Sequence, residues 1–263
     1  MDLQLSGKRA LVTGASKGIG LATVKALAAE GASVTAVSRR SSPELEATGA
    51  TFIPADLSRP DAPRRMIETA LDADPRLDVL VNNAGGGSIS EEARADPFTG
   101  EEEDWDRIFA LNLHAAIRVT RAALPALIEA RGAVINVSSE SALQPHAAPL
   151  PYSSAKAALN AFSRGLAENV APKGVRVNVV TPSATRTDLL VGEDGFVAHA
   201  AAALGVDEAS VLEALPQQAG LVTGRLIDPS EIARAIVLLS SPTMPSAVGS
   251  NWAVHAGALK MPA

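Results

Sequence analysis

Tyr152 and Lys156, four residues apart, have the types and the spacing for proton transfer. Tyr152 is the only tyrosine in the chain. Residues i and i+4 are neighbours on one helix face, so a helix over 151–156 sets an ammonium beside a phenol. A tyrosine hydroxyl ordinarily holds its proton to about pH 10, and a nearby cation favours the phenolate and lowers that value. A phenol that exchanges its proton near neutral pH is a general acid–base. Ser139, upstream, adds a hydroxyl that can hold an oxygen. The same pair also fits an ordinary surface helix, so the elements around it must decide.

Those elements begin with a short apolar run, Arg9–Thr13, followed at once by Gly14-Ala-Ser16-Lys17-Gly18-Ile19-Gly20 and an Ala-rich helix to Glu30. Strand, glycine turn and helix form the context in which glycines bind phosphate: the backbone approaches the ligand closely, and the helix N-terminus offers free N–H groups. The spacing is neither GxGxxG nor a P-loop. Strands follow at Ser33–Ser38, 51–53 and 78–81, with at most a short helix over 41–48 and a helix over 61–72. Such alternation predicts an α/β fold: a single-domain Rossmann-type, doubly wound parallel sheet of about seven strands with helices on both faces. Ligands in such sheets sit beyond the strand C-termini. Gly14, Ser38, Asp56-Leu57 and Asn83-Ala84-Gly85 all fall there.

The second strand of a dinucleotide fold normally ends in an acidic residue for the ribose 2′-OH. Here it ends in Ser38-Arg39-Arg40. Arginine binds a 2′-phosphate that a carboxylate would repel, and Lys17 adds a second cation. The expected cofactor is NADP(H) in preference to NAD(H).

The stretch 86–103 reads mostly as loop and Glu101–Asp104 as a helix N-terminus, where carboxylates favour the dipole. A long helix is expected over 105–129, with Asn112 inside it despite the poor helix propensity of asparagine. Ala133–Val137 is a fifth strand ending at Ser138-Ser139, and a helix starting near Tyr152 reaches 170. A sixth strand, 174–180, ends at Thr181-Pro182. Pro229–Ser240 is a helix capped by Asp228, and Asn251–Val254 a last strand.

With these pieces in order, the chain resembles the short-chain dehydrogenase/reductase family over almost its full length. The motifs are TGASKGIG at 13–20, DL at 56–57, NNAG at 82–85, Asn112 in ALNLH, SS at 138–139, YSSAK at 152–156, NVVTP at 178–182 and GRLIDPSEIA at 224–233. The resemblance implies a catalytic tetrad of Asn112, Ser139, Tyr152 and Lys156. Ser139 would hold the substrate oxygen and Tyr152 exchange a proton with it. Lys156 would lower the tyrosine pKa and hold the nicotinamide ribose, and Asn112 would support a water leading from Lys156 to solvent. It also implies cofactor contacts from Ser16, Ile19, Pro182 and Thr187, the last to the nicotinamide carboxamide. A substrate lid is expected at about 188–221.

Two departures stand out. Ser183 follows Pro182 where the family usually has glycine, and His255-Ala256 replaces a usual Asp-Gly. The implied activity is NADP(H)-dependent interconversion of a carbonyl and a secondary alcohol, resembling 3-oxoacyl reductases and related ketoreductases. Alternatives are a small alcohol or steroid dehydrogenase, a non-catalytic NADP(H) sensor, and a dehydratase or epimerase.

Composition narrows the partners. The 263 residues carry 23 Lys and Arg against 29 Asp and Glu, a net charge of −6. That opposes a nucleic-acid partner held by general electrostatics. There are no cysteines, so disulfides and thiol chemistry are excluded. The four histidines, 114, 146, 199 and 255, show no metal-binding spacing, so no catalytic metal is expected; His146 precedes Tyr152 and reads as a loop residue. A cytoplasmic protein with no membrane partner is expected, since no run approaches the ~18 apolar residues of a span. The helices over 105–129 and 152–170 resemble those that pair between subunits of the family, which implies a homotetramer, with a dimer as the alternative.

Overall fold

The structure, a computed structural model, describes residues 1–86, 101–145, 148–193 and 195–259. In chain order the first half holds β1 (Arg9–Thr13), α1 (Gly18–Ala29), β2 (Ser33–Ser38), α2 (Pro43–Glu46), β3 (Thr51–Pro54), α3 (Ala62–Leu71) and β4 (Val79–Asn82). After 87–100, which lie outside the described residues, come α4 (Glu102–Phe109), a π-helical turn (Ala110–His114), α5 (Ala115–Ala130) and β5 (Ala133–Val137). A short 3-10 turn (Glu140–Ala142), α6 (Leu150–Val170) and β6 (Arg176–Pro182) follow. The last part holds α7 (Asp188–Val191), α8 (Phe196–Leu204), α9 (Glu208–Gln218), α10 (Pro229–Ser240) and β7 (Asn251–Val254).

The seven strands form one parallel sheet in the order β3-β2-β1-β4-β5-β6-β7. Every pairing is parallel: Thr13 aligns with Val37, Val12 with Val81, Asn82 with Asn136, Val137 with Val180, and Pro182 with Val254. Parallel strands covered on both faces read as continuous apolar runs, and β4 and β5 are buried at every position. One face packs α1 and α10 over Val12, Val81, Ile135, Ile232 and Ile236. The other packs α3, α5 and α6 over Leu11, Leu80, Val134, Met66 and Val119. Each large aliphatic buried here contributes about 1.5–3 kcal/mol relative to exposure.

The strand order reverses at β1, so the crevice between the ends of β1 and β4 is the topological switch point where such sheets take ligands. A separate apolar cluster, including Val197, Val211, Leu215, Leu226 and Ala258, ties α8 and α9 to the segment before α10 and to the C-terminal end. The helix α10 starts with a capping box. The Asp228 carboxylate accepts from the Ser230 N–H at 2.8 Å, and the Glu231 carboxylate accepts from the Asp228 N–H at 3.2 Å.

Several boundaries shift by a residue or two from the sequence expectation. Glu101–Asp104 form the expected helix N-terminus, with Glu102, Glu103 and Asp104 in the first turn, where they favour the dipole. The helix expected over 105–129 is interrupted by the π turn, whose extra residue places Asn112 on the buried side. The sixth strand starts at Arg176 rather than 174, because Gly174 adopts φ +85° to close the turn after α6. The loop expected over 86–103 falls mostly outside the described residues, as does His146.

Candidate active site

Because all seven strands run the same way, their C-terminal ends share one edge. Thr13-Gly14, Ser38, Asp56, Asn83, Ser139 and Pro182 are therefore brought to one crevice, as their positions in the sequence predict.

The glycine turn and the end of β4 interlock. The Thr13 hydroxyl accepts from the N–H groups of Asn83 and Ala84, each at 3.0 Å, and donates to the Val81 carbonyl at 3.3 Å. The Asn83 side chain donates to the carbonyls of Thr13 and Gly14 at 3.0 and 3.1 Å. No room remains for side chains: a Cβ on Gly14 would lie 2.9 Å from Ala84 Cα, and one on Gly20 would lie 2.1 Å from the Gly14 carbonyl oxygen. Thr13 was not among the predicted site residues. Its signal in the sequence was a polar residue closing an apolar strand.

The residues present fit a bound dinucleotide. Lys17 precedes α1 in extended conformation and makes no side-chain cap, which leaves the N–H groups of the first turn without a capping side chain from the N-cap residue. Gly14 and Gly18 take φ of +65° and +56°, a region that favours glycine. Arg39 and Arg40 are exposed beyond β2, where the Ser38 hydroxyl donates to the Arg40 carbonyl at 2.7 Å. Asp56 is held below its ordinary pKa, first by the Ser58 hydroxyl at 2.7 Å and further by the positive charge of Arg39, which places Arg39 and Asp56 at the same end of the crevice.

Some expected contacts differ. Leu57 is buried in the core with Val37 and Met66, so its side chain does not line the crevice. Ser16 accepts the Ser42 hydroxyl on its carbonyl at 2.7 Å, pinning the turn to the start of α2, and Ile19 packs against the core. The Lys17 ammonium is paired with the Asp188 carboxylate at 3.1 Å, and a Cβ on Gly18 would meet Thr187 Cγ2 at 3.0 Å. Thr187 and α7 thus lie directly against the glycine turn. Pro182 is buried, and Ser183 has no left-handed backbone, so the glycine usual at that place is not required here. The other departure does carry strain, since Ala256 takes φ +49°.

At the candidate chemical centre, Tyr152 lies in the first turn of α6, with Pro151 at the start of the helix where its missing N–H costs nothing. Lys156, 3% exposed, donates to the Val137 carbonyl at 2.9 Å and stands 5.7 Å from the centre of the Tyr152 ring. Burial pushes the Lys156 ammonium down to about 8. Tyr152 departs from expectation: burial raises its pKa, a hydrogen bond with Ser139 opposes that, and Glu140 adds to the rise. Burial, which takes hydration from the phenolate, outweighs the lowering expected from Lys156.

Asn112 is 1% exposed. Its side chain accepts from the Gly86 N–H at 2.9 Å and donates to the carbonyls of Gly86 at 2.8 Å and Ile108 at 2.9 Å. It therefore grips the chain just after β4. A Cβ on Gly85 would fall 2.9 Å from Asn112 Oδ1 and 3.1 Å from Lys156 Nζ, so Asn112 and Lys156 close on the same bare glycine. Ser139 Oγ accepts from the Ser141 N–H at 3.2 Å and from the Ser141 hydroxyl at 3.0 Å. Ser141 is a second residue that the sequence reading passed over. Among the described residues there is no cluster of three or more potential metal ligands, and no single helix is long and apolar enough to cross a membrane.

A switch-point crevice with an uncapped helix N-terminus and a Ser–Tyr–Lys group defines a nucleotide-binding α/β enzyme class. Residues 8–194 match the family model described as short chain dehydrogenase, and the chain belongs to that family as an oxidoreductase. It is 32% identical to a 3-oxoacyl-[acyl-carrier-protein] reductase of Vibrio cholerae, covering 97% of this chain and 98% of that protein. It is 34% identical to a putative ketoacyl reductase of the monensin polyketide synthase from Streptomyces virginiae, over 92% and 94% of the two chains. The solved structure of L-sorbose reductase from Gluconobacter frateurii, complexed with NADPH and L-sorbose, matches with a TM-score of 0.89 at 30% identity, over 100% of both chains.

Proposed function

We propose that the protein reduces a small-molecule carbonyl to a secondary alcohol with NADPH and runs the reverse oxidation with NADP. The observation that carries this reading is the convergence of Ser139, Tyr152 and buried Lys156 beside the crevice that the glycine turn opens. The NADPH in the L-sorbose reductase complex supports the cofactor assignment, as do Arg39 and Arg40 in place of a carboxylate.

A bound nicotinamide supplies the hydride. Ser139 holds the substrate oxygen by hydrogen bonding. Tyr152 gives that oxygen its proton in reduction and removes it in oxidation. Its raised pKa suits the acid form needed for reduction. Lys156 binds the nicotinamide ribose and adds positive charge next to the developing phenolate. Asn112 fixes Gly85-Gly86, and with them the wall facing Lys156. Gly14, Ser16, Gly18 and Gly20 cradle the pyrophosphate, Arg39, Arg40 and Lys17 bind the 2′-phosphate, and Asn83 and Ala84 line the adenosine side. Thr187 holds the carboxamide. The helices α7 to α9 form the lid, with Leu189 lying over Gly86 at 3.2 Å from a Cβ placed there; lids of this kind exclude water on closure. The faces of α4–α5 and α6, with Trp105 stacked on Phe109 at 6.1 Å, join subunits into a tetramer; a monomer by light scattering at micromolar concentration contradicts the assembly.

The test is NADPH oxidation measured over ketones, 3-oxoacyl thioesters and quinones. Turnover on one of these classes is expected, and Tyr152→Phe abolishes it while NADPH still binds by fluorescence. Near-wild-type kcat in Tyr152→Phe removes the tyrosine from the chemistry.

A further inference from the structure

The hydroxyl of Ser139 is held from behind. Two donors, both from Ser141, reach its oxygen: the N–H at 3.2 Å and the hydroxyl at 3.0 Å. A serine oxygen has two acceptor sites and one proton. With both sites filled, Ser139 can act forward only as a donor. Ser141 is 1% exposed, so it does not meet substrate itself. The geometry is local and rigid, since Ser139 caps the 3-10 turn Glu140–Ala142 that carries Ser141.

We propose that Ser141 is a positioning residue that fixes Ser139 as a hydrogen-bond donor toward the Tyr152 oxygen and the carbonyl that replaces it. A free serine hydroxyl can turn and accept from Tyr152 as readily as donate. One that accepts takes the tyrosine proton's direction away from substrate and leaves the phenolate without a donor. A donor at that place favours the phenolate, and Ser139 is the hydrogen-bonding neighbour that opposes the rise in the Tyr152 pKa. Among the described residues the charged groups near the phenol are Glu140 on the same turn and Lys156 on α6, and neither changes in the variants below.

The inference rests on the roles proposed for Ser139 and Tyr152, but its test needs no substrate. Tyr152 is the only tyrosine, so phenolate absorbance at 295 nm reports it alone. The titration is read within seconds of a pH jump, with Trp105 and Trp252 fluorescence confirming that the chain is still folded. Ser139→Ala is expected to move the Tyr152 midpoint upward. Ser141→Ala moves it in the same direction, Ser141→Thr restores the wild-type midpoint, and the double Ser139→Ala/Ser141→Ala titrates like Ser139→Ala alone. A wild-type midpoint in Ser141→Ala, or a further shift in the double variant, overturns the inference. So does a Ser139→Ala chain that titrates as wild type. Loss of carbonyl turnover with these midpoints intact instead counts against the proposed reaction.

Discussion

Lys156 gives its hydrogen bond to the Val137 carbonyl at 2.9 Å while its ammonium stands 5.7 Å from the centre of the Tyr152 ring. The lysine is thus tied to the end of β5 and kept beside the phenol, in a place that water scarcely reaches.

That burial has a pH signature. The ammonium titrates near 8 in the folded chain, against 10.5 ordinarily. Between these values the unfolded chain binds the proton that the folded chain has released, so the contribution of Lys156 to stability rises with pH through this window. Below about pH 8 the cost of burying the charge is fully present. Lys156→Met removes the slope. Its stability relative to wild type should fall by on the order of 1–3 kcal/mol between pH 7 and pH 10.5, measured by urea unfolding. In turnover, kcat/KM for NADPH, which reports the cofactor-free enzyme, should decline above about pH 8.

Cofactor choice should turn on the end of β2. Ser38→Asp/Arg39→Leu is expected to raise KM for NADPH and lower KM for NADH, reversing the preference by about 10-fold or more, since a charge-assisted hydrogen bond is worth roughly 1.5–3 kcal/mol. Equal use of both cofactors by the wild type would sink the 2′-phosphate assignment.

Gly85 has to be bare. In Gly85→Ala the new methyl meets Asn112 Oδ1 at 2.9 Å and Lys156 Nζ at 3.1 Å. Relief requires moving one of two buried polar groups, and overpacking of this kind costs about 1–3 kcal/mol. Turnover should fall at least about 10-fold, because a small misplacement near the reacting atoms is amplified in rate. Unchanged kcat with unchanged Tm would show that Asn112 and Lys156 are not locked against this residue.

Ala256 carries backbone strain at φ +49°. A left-handed conformation costs an L-residue roughly 1–2 kcal/mol, partly offset in Ala256→Gly by the greater freedom of the unfolded chain. The variant should gain about 0.5–1 kcal/mol, a rise of a few degrees in Tm for a chain of this length. The neighbouring Gly257→Ala should do the opposite, because its Cβ would lie 2.3 Å from Val222 Cγ2.

Much of this was legible in the sequence. Strands β1, β2, β5 and β7 fall at the expected residues, because parallel strands buried on both faces leave unbroken apolar runs and glycine turns bound them. The placing of Gly14, Ser38, Asn83 and Ser139 on one edge follows from parallel topology alone. What was not legible depended on long-range contact. The π turn carries Asn112, whose side chain bonds Gly86, 26 residues away in the chain. The Thr13 clamp joins β1 to β4 across 70 residues.

The chain's own residues and spacing thus determined the fold class and the family, and named Ser139, Tyr152 and Lys156 as the candidate group, since periodicity and motif order are written locally. The tertiary structure alone decided how those groups are charged and held. Burial raises the Tyr152 pKa where sequence proximity to Lys156 had suggested a lowering, and a pKa is set by desolvation and by where each hydrogen bond goes. The surroundings of the single tyrosine are thus Ser139 fastened by Ser141, and Lys156 fastened by Val137.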